Sequence, residues 1–559
     1  MLRRYAVIGV LIFLLAACQP PTLWGVPPVA PTSALPEPVL PLLFPRTSTP
    51  TLIPPTITPT STPAPLLWID PAVPPRLHSK VIGWGISTTN EKQAASVFVE
   101  LTDASDSSTQ WIYALVAPFP TVTDGVTLYT LRDAWNASSS GPFAGLPLLM
   151  DESTLEVFTV LWGEPAEGAV QVVAAGALLD RAWDQMPSWG IIPFEDIQPR
   201  WKVLTIDGQS PLHKAFDVTR YPLVANFSFS SDLSAISSQY TLPATNRDPE
   251  KLATVILTGV TAMARATAKT MNVRGVLFPG QDIRELMREA DIAHINNEVP
   301  FFSGCPDPDP NQVKEIFCSA PRYIELLLDI GTDVVELSGD HFADYGDKAM
   351  EETVAIYKEN NLPYYGGGLS FEEGKQPLLM EANGNKFMFI ACNIKDIYAT
   401  ASDTRPGSVI CDFPYMTEQI QYYRGQGYLP ISTFQYHEFT TPEARPQQEE
   451  DFRRMADAGA VIVSGSQAHV PQMMEFHGDA FIHYGLGNLF FDQMTLDGGS
   501  KNTRREFIDR HVFYDGKYLG VELFTMYLED FSRPRYMTDV ERTRFLTDYF
   551  QFSGWLPEQ

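Results

Sequence analysis

Six polar side chains able to move protons, bind cations or hold substrate oxygens crowd into residues 431–492: His437, Glu438, Gln467, His469, Asn488 and Asp492. Imidazoles and carboxylates serve as general acids and bases and as cation ligands, while amides donate hydrogen bonds. These residues sit in polar or glycine-containing turns after apolar runs at 431–434, 461–463 and 480–483. Short β-branched runs bounded in this way read as buried strands. The stretch QQEEDFRRMADAGA, between the first two, has the spacing and length of a helix. Polar residues gathered at the carboxyl ends of strands are where sheet-based enzymes keep their chemistry.

The remaining elements must complete that cluster or deliver it somewhere. A chain of 559 residues is too long for one core, so two folded domains are expected. A formal charge of −27 argues against nucleic acid as a partner and fits solubility outside the cell. Met1 to Arg4 is a charged start, and residues 5–14 are apolar but too few for a membrane span. Leu15-Ala16-Ala17-Cys18 then resembles a bacterial lipobox. Residues 1–18 are therefore expected to be a lipoprotein signal peptide, with lipid on Cys18 anchoring an extracytoplasmic protein to the cell membrane. Beyond Cys18 four cysteines remain: Cys305, Cys318, Cys392 and Cys411. An even number in an oxidising compartment points to two disulfides, and the sequence-local pairing is the simplest of three connectivities.

Fifteen prolines lie between Gln19 and Leu66, which keeps residues 19–66 out of helices and sheets. Extended as polyproline II, that stalk would reach ~150 Å. Residues 67–245 are expected to form a smaller mixed α/β domain, with strands at 81–86, 112–118, 126–131, 157–162, 170–175 and 202–206. Its segments 189–194 and 201–208 resemble part of a solute-binding lobe of the phosphate-binding sort, which implies a solute-receptor reading for this half. Residues 246–559 alternate strand, polar turn and helix, as layered α/β domains do.

Seven blocks in this second domain, in order, carry a family resemblance: TGVTAMAR, HINNE, DVVELSGDHFADYG, LPYYGGG, FQYHEF, DAGAVIVSGSQAHVPQ and YGLGNLFFDQ. Over about 250–495 they resemble the CapA-type capsule, or poly-γ-glutamate, biosynthesis family. The resemblance implies a metallophosphoesterase-like, four-layer α-β-β-α sandwich with a polar site along one edge. It also implies metal ligands at several strand ends, and this chain departs from them. Val260 stands where an acidic residue is expected, and Gln435 and Gln467 stand where histidines are expected.

Glu298, Asp340, His341 and His469 remain as a set for one divalent cation, Zn²⁺ or Mn²⁺. Without a metal, His341, His437, Glu438 and His469 are candidate acids and bases, with Arg265, Asn297, Gln435, Gln467 and Asn488 as substrate-binding groups. Two readings stay open: a hydrolase or transferase, and a binding or anchoring protein on an eroded scaffold. Either would act on an anionic or sugar polymer beside other envelope biosynthesis proteins. His294, His477 and His483 read as packing or turn residues, and Asp344 and Asp347 as caps near a helix start.

Overall fold

The computed structural model describes residues 64–557 apart from 139, 233–238, 396 and 494–502. Cys18, the signal peptide and the stalk up to Pro63 lie outside the described residues. Ala64–Gln559 forms one compact unit. Among the described residues, no helix is long and apolar enough to cross a membrane.

Ten strands between Leu66 and Ser231 make one mixed sheet. At its centre Thr109–Pro118, buried at all but one position, pairs antiparallel with Val224–Ser231, Trp189–Pro193 and Trp201–Ile206. Three expected strands differ. Residues 157–162 end the helix Glu152–Trp162, whose N-cap Asp151 accepts from the Thr154 amide at 2.8 Å. Residues 126–131 leave a two-residue strand for the helix Leu128–Trp135, capped by Thr127, and Val81 lies in the helix Pro75–Ile82. Short apolar runs suit either element; at the helices Glu152–Trp162 and Leu128–Trp135 the capping residue decides.

The second half stacks two sheets. In the first, β1 (Leu252–Thr258), β2 (Ile292–Asn297) and β3 (Val334–Glu336) run parallel, and Arg505–Tyr514 joins β1 antiparallel. In the second, β4 (Asn385–Asn393), β5 (Leu429–Gln435), β6 (Ile462–Ser466) and β7 (Ala480–His483) are parallel neighbours in that order. Strand alternation makes the layers. Ala253, Val255 and Leu257 of β1 join Leu429, Ile431, Ile462 and Phe481 in a core between the sheets.

Opposite-facing side chains meet helices. Ile256 and Ile295 pack with Met271 of α1 (Arg265–Arg274) and Met350 and Val354 of α2 (Gly346–Glu359). Phe434, Val463 and Ile482 pack with Met416 and Ile420 of α3 (Phe413–Gly425) and Phe452 and Met455 of α4 (Pro446–Ala458). The domain is the four-layer α-β-β-α sandwich expected, with the carboxyl ends of its parallel strands along shared edges. The disulfides join Cys305 to Cys318 and Cys392 to Cys411, the sequence-local pairing.

Candidate functional site

Five strand ends deliver the site. Glu298 follows β2, Asp340 and His341 follow β3, and Lys395 follows β4. Gln435 closes β5 with Glu438 beyond it, and Gln467 and His469 follow β6. Glycine at 339 allows the approach of the second segment to the first, because a Cβ there would lie 2.5 Å from the Glu298 carbonyl oxygen. Gln467 is held at φ 80°, a conformation that side chains other than glycine rarely adopt and that concentrates at functional sites.

Gln435 is the centre of the cluster. Its Nε2 donates to Asp340 Oδ1 at 2.8 Å and to Glu298 Oε1 at 3.1 Å, and it also meets the Gln467 amide. Lys395 Nζ reaches Asp340 Oδ2 at 2.8 Å and stands 3.6 Å from Glu438 Oε2. With the Gln467 amide turned, its oxygen accepts from Lys395 Nζ at 2.6 Å and its nitrogen donates to Asp340 Oδ1 at 3.1 Å and to Glu298. Glu298, Gln435 and Gln467 are fully buried, whereas the Lys395 side chain is 27% exposed and that of Glu438 39%. The floor of the site is thus carboxylate and amide, and its accessible lip carries Lys395, Glu438 and His341.

Both imidazoles are oriented by a partner. His341 Nδ1 donates to Asp344 Oδ2 at 2.8 Å, and the same oxygen accepts from the Phe317 amide at 2.6 Å. His469 Nδ1 donates to Asn488 Oδ1 at 2.8 Å, while Asn488 Nδ2 donates to the Thr503 carbonyl at 3.1 Å. A stack of rings links the two. His341 packs on Phe317, Arg265 lies 4.9 Å from the Phe317 ring and 5.0 Å from the Phe491 ring, and Phe491 packs on His469. Arg265 is buried at φ 42° and donates through Nη2 to the Asp492 carbonyl.

Charge follows from these contacts. Burial and the neighbouring Asp340 charge push the Glu298 carboxyl well up, so the deeper acid keeps its proton. Burial would raise Asp340 too, but His341 and Lys395 outweigh it and hold it ionised. Burial opposes charge on His341, yet the Asp344 hydrogen bond and the acids around it lift it to about 9. His469 goes the other way, lowered by burial that the Glu438 charge does not offset.

Several candidate residues lie apart from the cluster or are engaged within the protein. His437 is exposed and packs beside the rings of Tyr436 and Phe439. Asn297 spends its amide nitrogen on the Val299 carbonyl and the Tyr357 hydroxyl, both at 2.8 Å, beneath the sheet. Arg265 is buried between the Phe317 and Phe491 rings. Gln435 and Gln467 donate to the protein's own acids, and Asn488 orients His469. His483 is the core residue expected, bonded to Asp509 at 2.6 Å. Asp344 is no cap: the N-cap position of α2 is Tyr345, and Asp344 orients His341 instead. Lys395 was not foreseen from sequence, because a lone lysine after a strand carries no motif.

The donor set does not fit the implied cation. The oxygens of Glu298 and Asp340 that would face a metal instead accept from an ammonium and amide N–H groups.

Residues 254–493 match the family model described as bacterial capsule synthesis protein PGA_cap. Capsule biosynthesis protein CapA of Bacillus anthracis is 27% identical over 45% of this chain and 62% of its own. PGA biosynthesis protein CapA of Bacillus subtilis (strain 168) is 23% identical over 41% of this chain and 61% of its own. The chain therefore spans about three-fifths of the length of the curated relatives it matches. A 5'-nucleotidase precursor from Thermus thermophilus aligns at TM-score 0.30 and 10% identity, covering 54% of this chain and 58% of that one. An ABC-type phosphate transport receptor from Vibrio cholerae aligns at TM-score 0.25 and 12% identity, covering 29% and 85%.

Proposed function

Residues 254–493 being a CapA-type domain of the capsule synthesis family, we propose that the protein binds and anchors an anionic polymer of the capsule or poly-γ-glutamate type. It does so outside the cytoplasm, tethered to the membrane through lipid on Cys18. The observation that carries this reading is the lip of the site. In a chain of net charge −27, the accessible side chains over a buried acid pair include two cations, Lys395 and His341. A repeating carboxylate or phosphate chain meets there an ammonium and an imidazolium set among the acids Glu438, Asp340 and Asp344, a fixed alternation of charge that favours binding in register over binding anywhere.

The test is retention of poly-γ-glutamate by the full protein at low salt. His341→Ala is expected to weaken retention by about tenfold, the loss of one charge-assisted contact. A wild-type protein that ignores both poly-γ-glutamate and anionic capsular polysaccharide would end the proposal. One observation favours a second reading, turnover of the polymer. His469 is neutral, oriented by Asn488 and adjacent in charge to Glu438, as a general base would be. Shortening of the polymer by wild type but not by His469→Ala supports that reading; unchanged chain length in both leaves binding alone.

A further inference from the structure

The place where the sandwich edge should hold a divalent cation is instead filled by part of the chain. We propose that the Lys395 ammonium stands in for that cation, so the site meets an anionic oxygen with a fixed organic charge and excludes divalent metals. The inference rests on the polymer reading for its ligand but not for its metal exclusion.

Three features of the cluster carry it. First, the three departures from the expected ligand set all remove metal affinity: Val260 is buried among apolar side chains, and Gln435 and Gln467 bring neutral amides. Second, among the described residues, the hydrogen bonds on the Glu298 and Asp340 carboxylates come from protein donors. Gln435 Nε2 bridges both, Lys395 Nζ lies 2.8 Å from Asp340 Oδ2, and the turned Gln467 amide adds to each. A cation entering there would have to evict an ammonium of like charge.

Third, the outer shell is kept although the centre has changed. His341 donates to Asp344 and His469 to Asn488, which is how imidazoles around a metal are commonly oriented. The surroundings are those of a cation site, and the cation is a side chain.

Lys395 is held in place by its own segment. Its amide donates to Asn393 Oδ1 at 2.8 Å, the Ile394 amide donates to the Gln435 carbonyl at 3.0 Å, and Cys392 is bonded to Cys411. An ammonium has three hydrogens. Among the described residues, Asp340 and the turned Gln467 take two, which leaves a third for an added oxygen, with Glu438 Oε2 an ion-pair partner at 3.6 Å. That third hydrogen is the one offered to a carboxylate or phosphate oxygen of the polymer. Lysine suits such a contact as a compact point charge with rotatable donors.

The experiment is metal analysis of the full-length protein after incubation with Mn²⁺ or Zn²⁺ and desalting, beside thermal melts with and without each ion. Wild type is expected to retain no stoichiometric metal and to melt at the same temperature in both. Lys395→Ala is expected to bind one ion, to gain a metal-dependent rise in melting temperature, and to lose at least about tenfold in poly-γ-glutamate affinity. Lys395→Arg, which keeps the charge, should still exclude metal. Stoichiometric metal in wild type that Asp340→Asn releases overturns the inference. Should Lys395→Ala not fold, the wild-type measurement decides alone. Metal exclusion by wild type with no polymer bound by any form would remove the polymer reading and leave the lysine substitution standing.

Discussion

Glu195 lies at the junction of the two halves, accepting from Trp111 Nε1 at 3.1 Å and from Asn246 Nδ2 at 2.6 Å. Burial pushes its carboxyl up to about 7, with the Asn246 hydrogen bond opposing. Between the ordinary glutamate value and about 7, the folded chain holds a proton that the unfolded chain has released. Stability contributed by this group is therefore present at low pH and falls as pH rises through that window, by about 3 kcal/mol in all. Glu195→Gln should flatten the dependence of melting temperature on pH between 4.5 and about 7, and thermal melts across that range check it. Arg265 is a second case. Replacing it with Ala removes two cation–π contacts and a buried hydrogen bond, an expected loss of about 2–3 kcal/mol by denaturant unfolding. Legibility differed by residue. That amides, Gln435 and Gln467, stand where the resemblance implies histidines is written in the sequence, as are Glu298, His341 and His469. Asp344 and Lys395 are not, because a partner that orients an imidazole or fills a cation's place is defined by distance and has no fixed spacing.

At the scale of elements, the segment closed by Cys305–Cys318 carries Phe317, whose ring supports both His341 and Arg265. With a sequence separation of 13 between the cysteines, removing the bridge is expected to lower stability by about 3 kcal/mol. Cys305→Ser combined with Cys318→Ser should also loosen polymer retention, since His341 loses the ring it packs on; unfolding curves and retention together check this. The terminal helix Asp539–Phe552 closes the sandwich with Phe545, Leu546, Tyr549 and Phe550, and its capping box joins Thr538 to Glu541. Thr538→Ala should cost about 1 kcal/mol in the same measurement. Strands β5, β6 and β7 were legible because each apolar run ends at a polar turn. The run 157–162 was not, since one helical turn of Val, Phe and Leu looks like a strand until its N-cap is recognised.

At the scale of the whole molecule, the two halves are interlocked. Phe119, at the end of the first half's central strand, packs edge-on against Phe476, Phe481, Phe550 and Trp555 of the second. Beside it Arg542 donates to both oxygens of Asp124, which Lys202 also contacts at 2.7 Å. A cavity of about 560 Å³ remains between the halves next to this contact. Phe119→Ala should therefore destabilise by about 3–5 kcal/mol and uncouple the halves, turning one calorimetric transition into two. Chain length indicated two folded regions, but nothing local to Phe119 foretells partners more than 350 positions away. The bond between Cys392 and Cys411 closes the segment that presents Lys395. Inside a reducing cytoplasm those thiols stay apart, and the segment lacks its latch. Under the placement outside the cytoplasm proposed above, a newly made chain would carry this segment open until oxidation closes it.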